Sequence, residues 1–328
     1  MQAHSRRKLV NLISYSALIV FLFLIPLFVK DPYQLHILIM AGIAVILASS
    51  VRLIAASGLL SLAHGGMMAV GAYTSTLLVM KLGLSSWAAL IAAGLAAAVI
   101  ASLVGYPFIR IKGMYFAMVT VFLGEAIRLI IEQWQDLTGG TSGIVNIPRP
   151  DPIVIPGLLN IDFTSKVDFY YFILVLVLVI LFILYALEHS RIGLTWFSIG
   201  QADFLAESVG VNTARFQVLD FSIGCFFAGI AGAFYSQYIT AITPSAFGFF
   251  WSIYIVIYMI VGGMGTFFGP ILGAFILTLL PESVRFLKEF QPYVFAGVLM
   301  LVIFLLPEGL ISLPKRLKKL FKERLSHA

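Results

Sequence analysis

The feature that most constrains this chain is a succession of apolar runs separated by short breaks carrying charge, Gly or Pro. Several are long enough to cross about 30 Å of hydrocarbon, where the backbone must satisfy its own polar groups and therefore forms helices. The spacing predicts helices near 9–29, 35–51, 58–80, 86–105, 114–133, 168–187, 216–239, 249–261, 266–280 and 292–306. The expected fold is all-α: a polytopic transmembrane bundle of about ten helices in one domain over residues 1–328. Composition agrees, with 61% of residues apolar and only 11% charged; soluble domains are roughly 45–50% apolar and 25% charged. Most of this chain has lipid as its solvent. The eighth and ninth runs are short and flank Gly262-Gly263-Met264-Gly265 and Gly269-Pro270, which suits half-spans or a broken hairpin as well as two full crossings.

The net charge is +6, and its placement matters more than its size. Arg6, Arg7 and Lys8 precede the first run, and Lys315, Arg316, Lys318, Lys319, Lys322 and Arg324 crowd the basic tail 312–328. With the N-terminus inside and sides alternating through ten spans, fourteen Lys and Arg fall inside, six outside, and Arg128 within a helix. The positive-inside rule then puts both termini in the cytoplasm, with the tail against anionic membrane lipid. The basic residues show no interleaved aromatic pattern of the kind a nucleic-acid surface uses. Cys225 is the sole cysteine, so no intrachain disulfide and no cysteine metal cluster can form. The first run is too long for a signal peptide, lacks a small-residue cleavage pattern, and reads as a retained helix.

Two connections exceed simple turns. The first, 134–167, is expected outside and carries Pro148, Pro150, Pro152 and Pro156, which suits an ordered cap over the external mouth. The second, 188–215, is expected in the cytoplasm. Within it Ile199, Ala202, Leu205, Ala206 and Val209 share helical spacing, Gln201, Asp203, Glu207 and Ser208 lie largely opposite, and Gly210 can end the helix. An acidic polar face suits docking into a partner's groove better than lying on anionic lipid.

Residues with catalytic potential are few. No Gly-Lys dipeptide exists, so no Walker loop can cradle phosphate, and there is no H-E-x-x-H pair or G-x-S-x-G elbow. The chain is expected to bind no cofactor and to leave nucleotide hydrolysis to another subunit. Intramembrane charge demands a reason. Glu125, Arg128 and Glu132 share one face of the fifth span, where they either pair among themselves or line a polar passage. His64 stands beside Gly65 and Gly66 as a packing residue or a proton carrier. Asp220 is placed near the start of the seventh span, where a carboxylate suits a helix N-terminus. Gly65-Gly66-Met67 and Gly262-Gly263-Met264 recur in the two halves, as interrupted helices at a transporter midplane would. The passage candidates are His64, Glu125, Arg128, Gly262, Gly263 and Gly265.

Several blocks together resemble LivM-type permeases, membrane subunits of branched-chain amino acid ABC importers. Gly58-Leu59-Leu60-Ser61-Leu62-Ala63-His64, running on to Gly71-Ala72-Tyr73, is similar to G-Q-L-S-L-G-H…G-A-Y. Arg110-Ile111-Lys112-Gly113-Met114-Tyr115-Phe116-Ala117 with Gly124-Glu125-Ala126-Ile127-Arg128-Leu129 resembles R-G-x-Y-F-A…G-E-x-x-R-L. Thr138-Gly139-Gly140 with Gly143 resembles T-G-G-x-x-G. Phe227-Ala228-Gly229-Ile230-Ala231-Gly232-Ala233, Thr243-Pro244 and the stretch from Gly262 to Pro270 follow in the family's order, so the match spans roughly residues 40 to 285.

The resemblance implies a passage formed with a second permease subunit, two cytoplasmic ATP-binding subunits, an external solute-binding protein, and a prokaryotic cell membrane around them. It also implies that the amphipathic stretch is the ATPase-coupling helix, with Ile199, Leu205, Ala206, Glu207, Val209 and Gly210 as its residues. Ala206-Glu207-Ser208-Val209-Gly210-Val211-Asn212 matches the end of the family's R-x-N-E-x-A-A-E-x-x-G-I-N, whereas Gly200, Gln201, Ala202 and Asp203 replace a more charged run and Leu59 replaces Gln. A stand-alone secondary carrier or channel would also explain the spans and intramembrane charges, and urea, amides or other amino acids would suit the same architecture.

Overall fold

The computed structural model describes residues 20–29, 31–155, 159–283, 290–306 and 309–313. Most of the first predicted span, the N-terminal basic cluster and most of the basic tail lie outside them. Helices follow one another along the chain: α1 (20–28), α2 (Pro32–Ala56), α3 (His64–Leu82), α4 (Ser86–Phe108), α5 (Met114–Gln133), the short α6 (Gln135–Thr138), α7 (Lys166–Glu188), α8 (Arg191–Gln201), α9 (Asp203–Ser208), α10 (Thr213–Ile239), α11 (Phe249–Gly262), α12 (Gly269–Ser283) and α13 (Gln291–Leu305). Among the described residues six segments are long and apolar enough to cross a membrane: α2, α4, α5, α7, α10, and α11 with the 3₁₀ turn before it. The protein is therefore an all-α, multi-pass membrane protein. Helix α3 is too polar for that group, α12 and α13 are 15 residues each, and α11 and α12 form a hairpin in which α11 reaches crossing length only with its 3₁₀ turn.

Local chemistry sets the boundaries. Asp31 accepts from the Tyr33 amide at 2.9 Å and Pro32 opens α2 with its φ already helical. Ser165 and Asp168 make a reciprocal capping box on α7, and Asn212 caps α10 through the Arg215 amide at 3.1 Å. Gly83, in the left-handed region at φ 62°, closes α3.

Helices α2, α3 and α10 form the centre. Of the apolar windows of α2 and α10, 83% and 72% are buried within the chain, against 28% for α5 and α7, whose outer faces remain open. Lipid tails are as apolar as leucine, so helices in a membrane gain from close van der Waals contact rather than from leaving water. The glycine blocks provide that contact. A Cβ on Gly71 would lie 2.0 Å from the Gly229 carbonyl oxygen, and one on Gly232 would lie 2.0 Å from that of Met68. At this crossing α3 and α10 touch backbone to backbone.

The described residues after α5 form regular structure; Pro156 lies outside them. Thr138 donates to the Ile131 carbonyl at 2.6 Å, a 3₁₀ turn covers Gly140–Ser142, and β1 (Ile144–Val145) pairs antiparallel with β4 (Ala241–Ile242) beyond α10. Strands β2 (Ile153–Ile155) and β3 (Leu159–Ile161) form a small hairpin. These elements sit where α2 and α7 begin and α10 ends, as Lys166 donates to the Pro32 carbonyl and His36 meets Tyr238. We call this the cap end; the other, carrying α8 and α9, is the loop end.

Three boundaries differ from the sequence reading. Helix α2 runs through Ala56, which puts Arg52 in a helix rather than a loop. Residues 58–63 are not helical, because Gly58 turns the chain at φ 81° and the Leu62 amide is taken by the Thr120 hydroxyl at 3.0 Å. Helix α10 begins at Thr213, so Asp220 is not at a helix start; it lies two turns in and fully buried.

Candidate functional site

Helix α3 starts inside the bundle rather than at its edge. His64 Nε2 lies 3.2 Å from the Ser50 hydroxyl of α2, and a Cβ on Gly66 would fall 2.6 Å from the Cα of Gly124, the eleventh of the twenty residues of α5. Helix α11 begins at the same level from the opposite direction. The chain leaves β4, turns through the 3₁₀ segment Pro244–Phe247, and enters α11 at Phe249. The two helix starts touch: the Gly65 amide donates to the Ser252 hydroxyl at 2.9 Å, and a Cβ on Gly65 would sit 3.1 Å from the Phe247 carbonyl oxygen.

Two positive helix ends therefore converge beside the middle of α5, where anionic groups are favoured. Glu125 supplies one. Its Oε1 accepts from the Phe249 amide at 2.9 Å, capping α11 from another helix, and its Oε2 accepts from Arg128 Nε at 2.7 Å. Arg128 Nη1 reaches Glu132 Oε2 at 2.5 Å, which completes a ladder along α5. The three side chains are still 22% to 30% exposed. Uncovered by lipid-facing neighbours, such charges would be costly in hydrocarbon, so this face suits water or another chain.

His64 is fully buried, and its Nδ1 has no hydrogen-bond partner among the described residues. The glycine candidates do not join this cluster. Gly262 and Gly263 lie at the far end of α11, in a tight hairpin where a Cβ on Gly262 would fall 1.9 Å from the Gly269 carbonyl oxygen, and Gly265 is on the exposed turn beyond. The apparent repeat of Gly-Gly-Met is thus not structural: one copy opens a helix and the other closes one. Among the described residues no group of His, Cys, Asp or Glu is arranged to hold a metal.

At the loop end the single helix expected from Ile199 to its end at Gly210 is two. Helix α8 stops at Gln201, Ala202 adopts φ −159° and ψ 89°, and α9 follows. The cause is local crowding and capture. Gly200 lies so close to α2 that a Cβ would be 2.2 Å from the Ala56 carbonyl oxygen, and Asp203 is held by Lys112 and by the Phe204 amide at 2.7 Å. The hydrogen bond to Asp203 pushes the Lys112 ammonium above its ordinary pKa, and the same bond holds the Asp203 carboxyl below its own. Ile199 and Ala206 are buried, as is Trp196, whose Nε1 donates to the Phe216 carbonyl at 2.8 Å. Phe204, Leu205 and Val209 instead point outward at 76%, 64% and 78% exposure. Glu207 accepts from the Thr213 hydroxyl at 2.5 Å, and Gly210 turns the chain at φ 89° into α10.

Arg52 escaped the sequence reading. Its guanidinium forks onto Glu188 at the end of α7, its Nε donates to the Met264 carbonyl at 3.1 Å, and it lies 5.8 Å from the Phe267 ring centre. One side chain thereby ties α2, the entrance to α8 and the Gly-rich hairpin. The available signal was a lone arginine and a lone glutamate, each just past the predicted end of an apolar run.

Comparison with known proteins agrees with this architecture. A family model described as the permease component of branched-chain amino acid transport systems matches residues 33–307. The high-affinity branched-chain amino acid transport system permease protein LivM of Escherichia coli (strain K12) is 32% identical over 284 residues, which are 80% of this chain and 66% of that protein. LivM of Salmonella typhimurium is 31% identical with the same coverage. The chain thus spans just under two thirds of the length of these relatives. The permease protein LivH of the same Escherichia coli strain is 24% identical over 278 residues, 79% of this chain and 87% of LivH. No solved structure matches. The chain belongs to the family of permease components of branched-chain amino acid transport systems.

Proposed function

We propose that this chain is one of two permease subunits of an ATP-driven importer that carries branched-chain amino acids across a prokaryotic cell membrane. In this reading both termini are cytoplasmic, the cap end faces outward toward a solute-binding protein, and two ATP-binding subunits engage the loop end. The chain itself binds no nucleotide. The observation that carries the reading is the partly exposed Glu125–Arg128–Glu132 ladder beside the converging starts of α3 and α11. In lipid that ladder would be strongly unfavourable; against a second permease it lines a shared polar passage. Similarity to both LivM and LivH supports a paired arrangement.

Coupling is assigned to α8 and α9. The exposed Phe204, Leu205 and Val209 supply apolar anchors of the kind that fill a partner's groove. Ile199 and Ala206 face inward and fix the loop to the bundle. The deciding experiment reconstitutes the chain in vesicles, alone and with a co-expressed LivH-like permease, two ATPases and binding protein. Leucine uptake is expected only with the full set and ATP. Accumulation by the lone chain on an ion gradient would make it a secondary carrier, and uptake of urea with exclusion of leucine would reassign the solute.

A further inference from the structure

At the cap end, a cavity of about 220 Å³ opens between the starts of α2 and α7 and the end of α10, and has no role in the passage described above. His36, Arg149 and Lys166 line it, with Phe169, Tyr238 and Ile239 as its apolar and aromatic wall. The balance of charge is one-sided: no carboxylate borders the cavity. Arg149 donates to the Thr164 carbonyl at 3.2 Å and Lys166 to the Pro32 carbonyl at 3.1 Å, which positions both cations without neutralising them. Arg52, Lys112 and Arg128 each have a carboxylate, whereas among the described residues Arg149 and Lys166 have none.

The other side chains are held in place. His36 Nδ1 and the Tyr238 hydroxyl are 2.7 Å apart, and Phe169 meets the Tyr238 ring edge-on at 5.1 Å. With Tyr238 donating, the imidazole carries its proton on Nε2 and is a further donor. Phe169 is buried, so the apolar wall is part of the core and not a mobile flap.

We propose that this cavity binds a small aliphatic carboxylate. The planar guanidinium of Arg149 matches the two oxygens of a carboxylate, Lys166 adds a second positive charge, and Phe169 and Ile239 accept a short hydrocarbon tail. The cavity is open at its mouth, where Arg149 and Lys166 are exposed, and its size suits a ligand of a handful of heavy atoms. The cluster and the cavity stand apart from the transport reading, and the proposal holds whether or not the chain moves amino acids.

The test uses the purified full-length chain in zwitterionic micelles and 4-methylpentanoate as the probe, with binding followed by ligand-observed NMR. Saturable binding is expected. Arg149→Gln and Lys166→Gln should each weaken it about tenfold, the loss of one charge-assisted hydrogen bond. Arg149→Lys should lie between, and Lys81→Gln, also at the cap end, should leave it unchanged. Thermal melting of each variant separates loss of the site from loss of the fold. Absence of saturable binding, equal affinity in the glutamine variants, or equal binding of 4-methylpentanamide would each overturn the proposal. Phosphatidylglycerol binding that needs Arg149 and Lys166 while the carboxylate does not bind would also overturn it, marking a lipid headgroup site instead.

Discussion

Arg52 and Glu188 meet as two parallel forks, with Nη1 donating to Oε2 at 2.8 Å and Nη2 to Oε1 at 2.5 Å. The pair lies at the loop end of α2 and α7, at 11% and 22% side-chain exposure. Removing one partner leaves the other partly buried and unpaired, which costs more than removing both. Arg52→Met and Glu188→Gln should each lower the melting temperature. The double variant should lose about 1–2 kcal/mol less than the two single losses combined. Strictly additive losses would show that the forks do not interact. Because α8 starts three residues after Glu188, the single variants should also hydrolyse more ATP per solute moved in the assembled transporter.

On α5, Glu125 does more than pair with Arg128, since it also caps α11. Glu125→Ala should therefore reduce folded yield most, Glu125→Gln less because its amide oxygen still accepts from Phe249, and Glu132→Ala least. A lost cap contributes about 1 kcal/mol to the first of these. Equal yields for Glu125→Ala and Glu132→Ala would remove the capping role.

On the proposed coupling role, α8 and α9 separate docking from folding. Leu205→Asp or Phe204→Asp places a charge on an exposed side chain, so membrane insertion and melting should be unchanged while ATPase co-purification and uptake are lost. Ile199→Asp charges a buried position and should destabilise the loop itself. If Leu205→Asp still binds its ATPase and transports normally, α9 is not the coupling element.

The α3–α10 crossing tolerates no side chain. Gly71→Ala or Gly232→Ala forces a methyl group onto a carbonyl oxygen and should cost about 2–3 kcal/mol or more, read as lost thermal stability in detergent. Gly297→Ala in α13, where nothing lies within 4 Å of the new Cβ, is the control and should have no effect. A mild Gly71→Ala would show that the helices can separate.

Hydrophobic runs made the helices legible, and i, i+3, i+4 spacing made the Glu125–Arg128–Glu132 ladder legible, because both depend on local periodicity. The meeting of α3 and α11 was not, since Gly65 and Ser252 are far apart in sequence and only the tertiary fold brings two helix starts together. The break at Ala202 was hidden because Ile199, Ala202, Leu205, Ala206 and Val209 keep helical spacing across it; contact between Gly200 and α2 overrides the pattern. Arg52 was assigned to a loop for a related reason. A charged residue normally ends an apolar run, but here its partner Glu188 and the Met264 carbonyl let the helix continue past it.

The glycine-lined crossing of α3 and α10 also limits how this protein can move. Ridges of side chains act as bearings that let one helix ratchet along another, and here that layer is missing. Shifting α10 along α3 so that a neighbour carrying Cβ took the place of Gly232 would drive that Cβ into the Met68 carbonyl oxygen. The two helices are keyed together and must travel as one piece. Any stroke that opens and closes a route through the membrane is then left to the less enclosed helices, α5 and α7 among them, swinging against that fixed spindle.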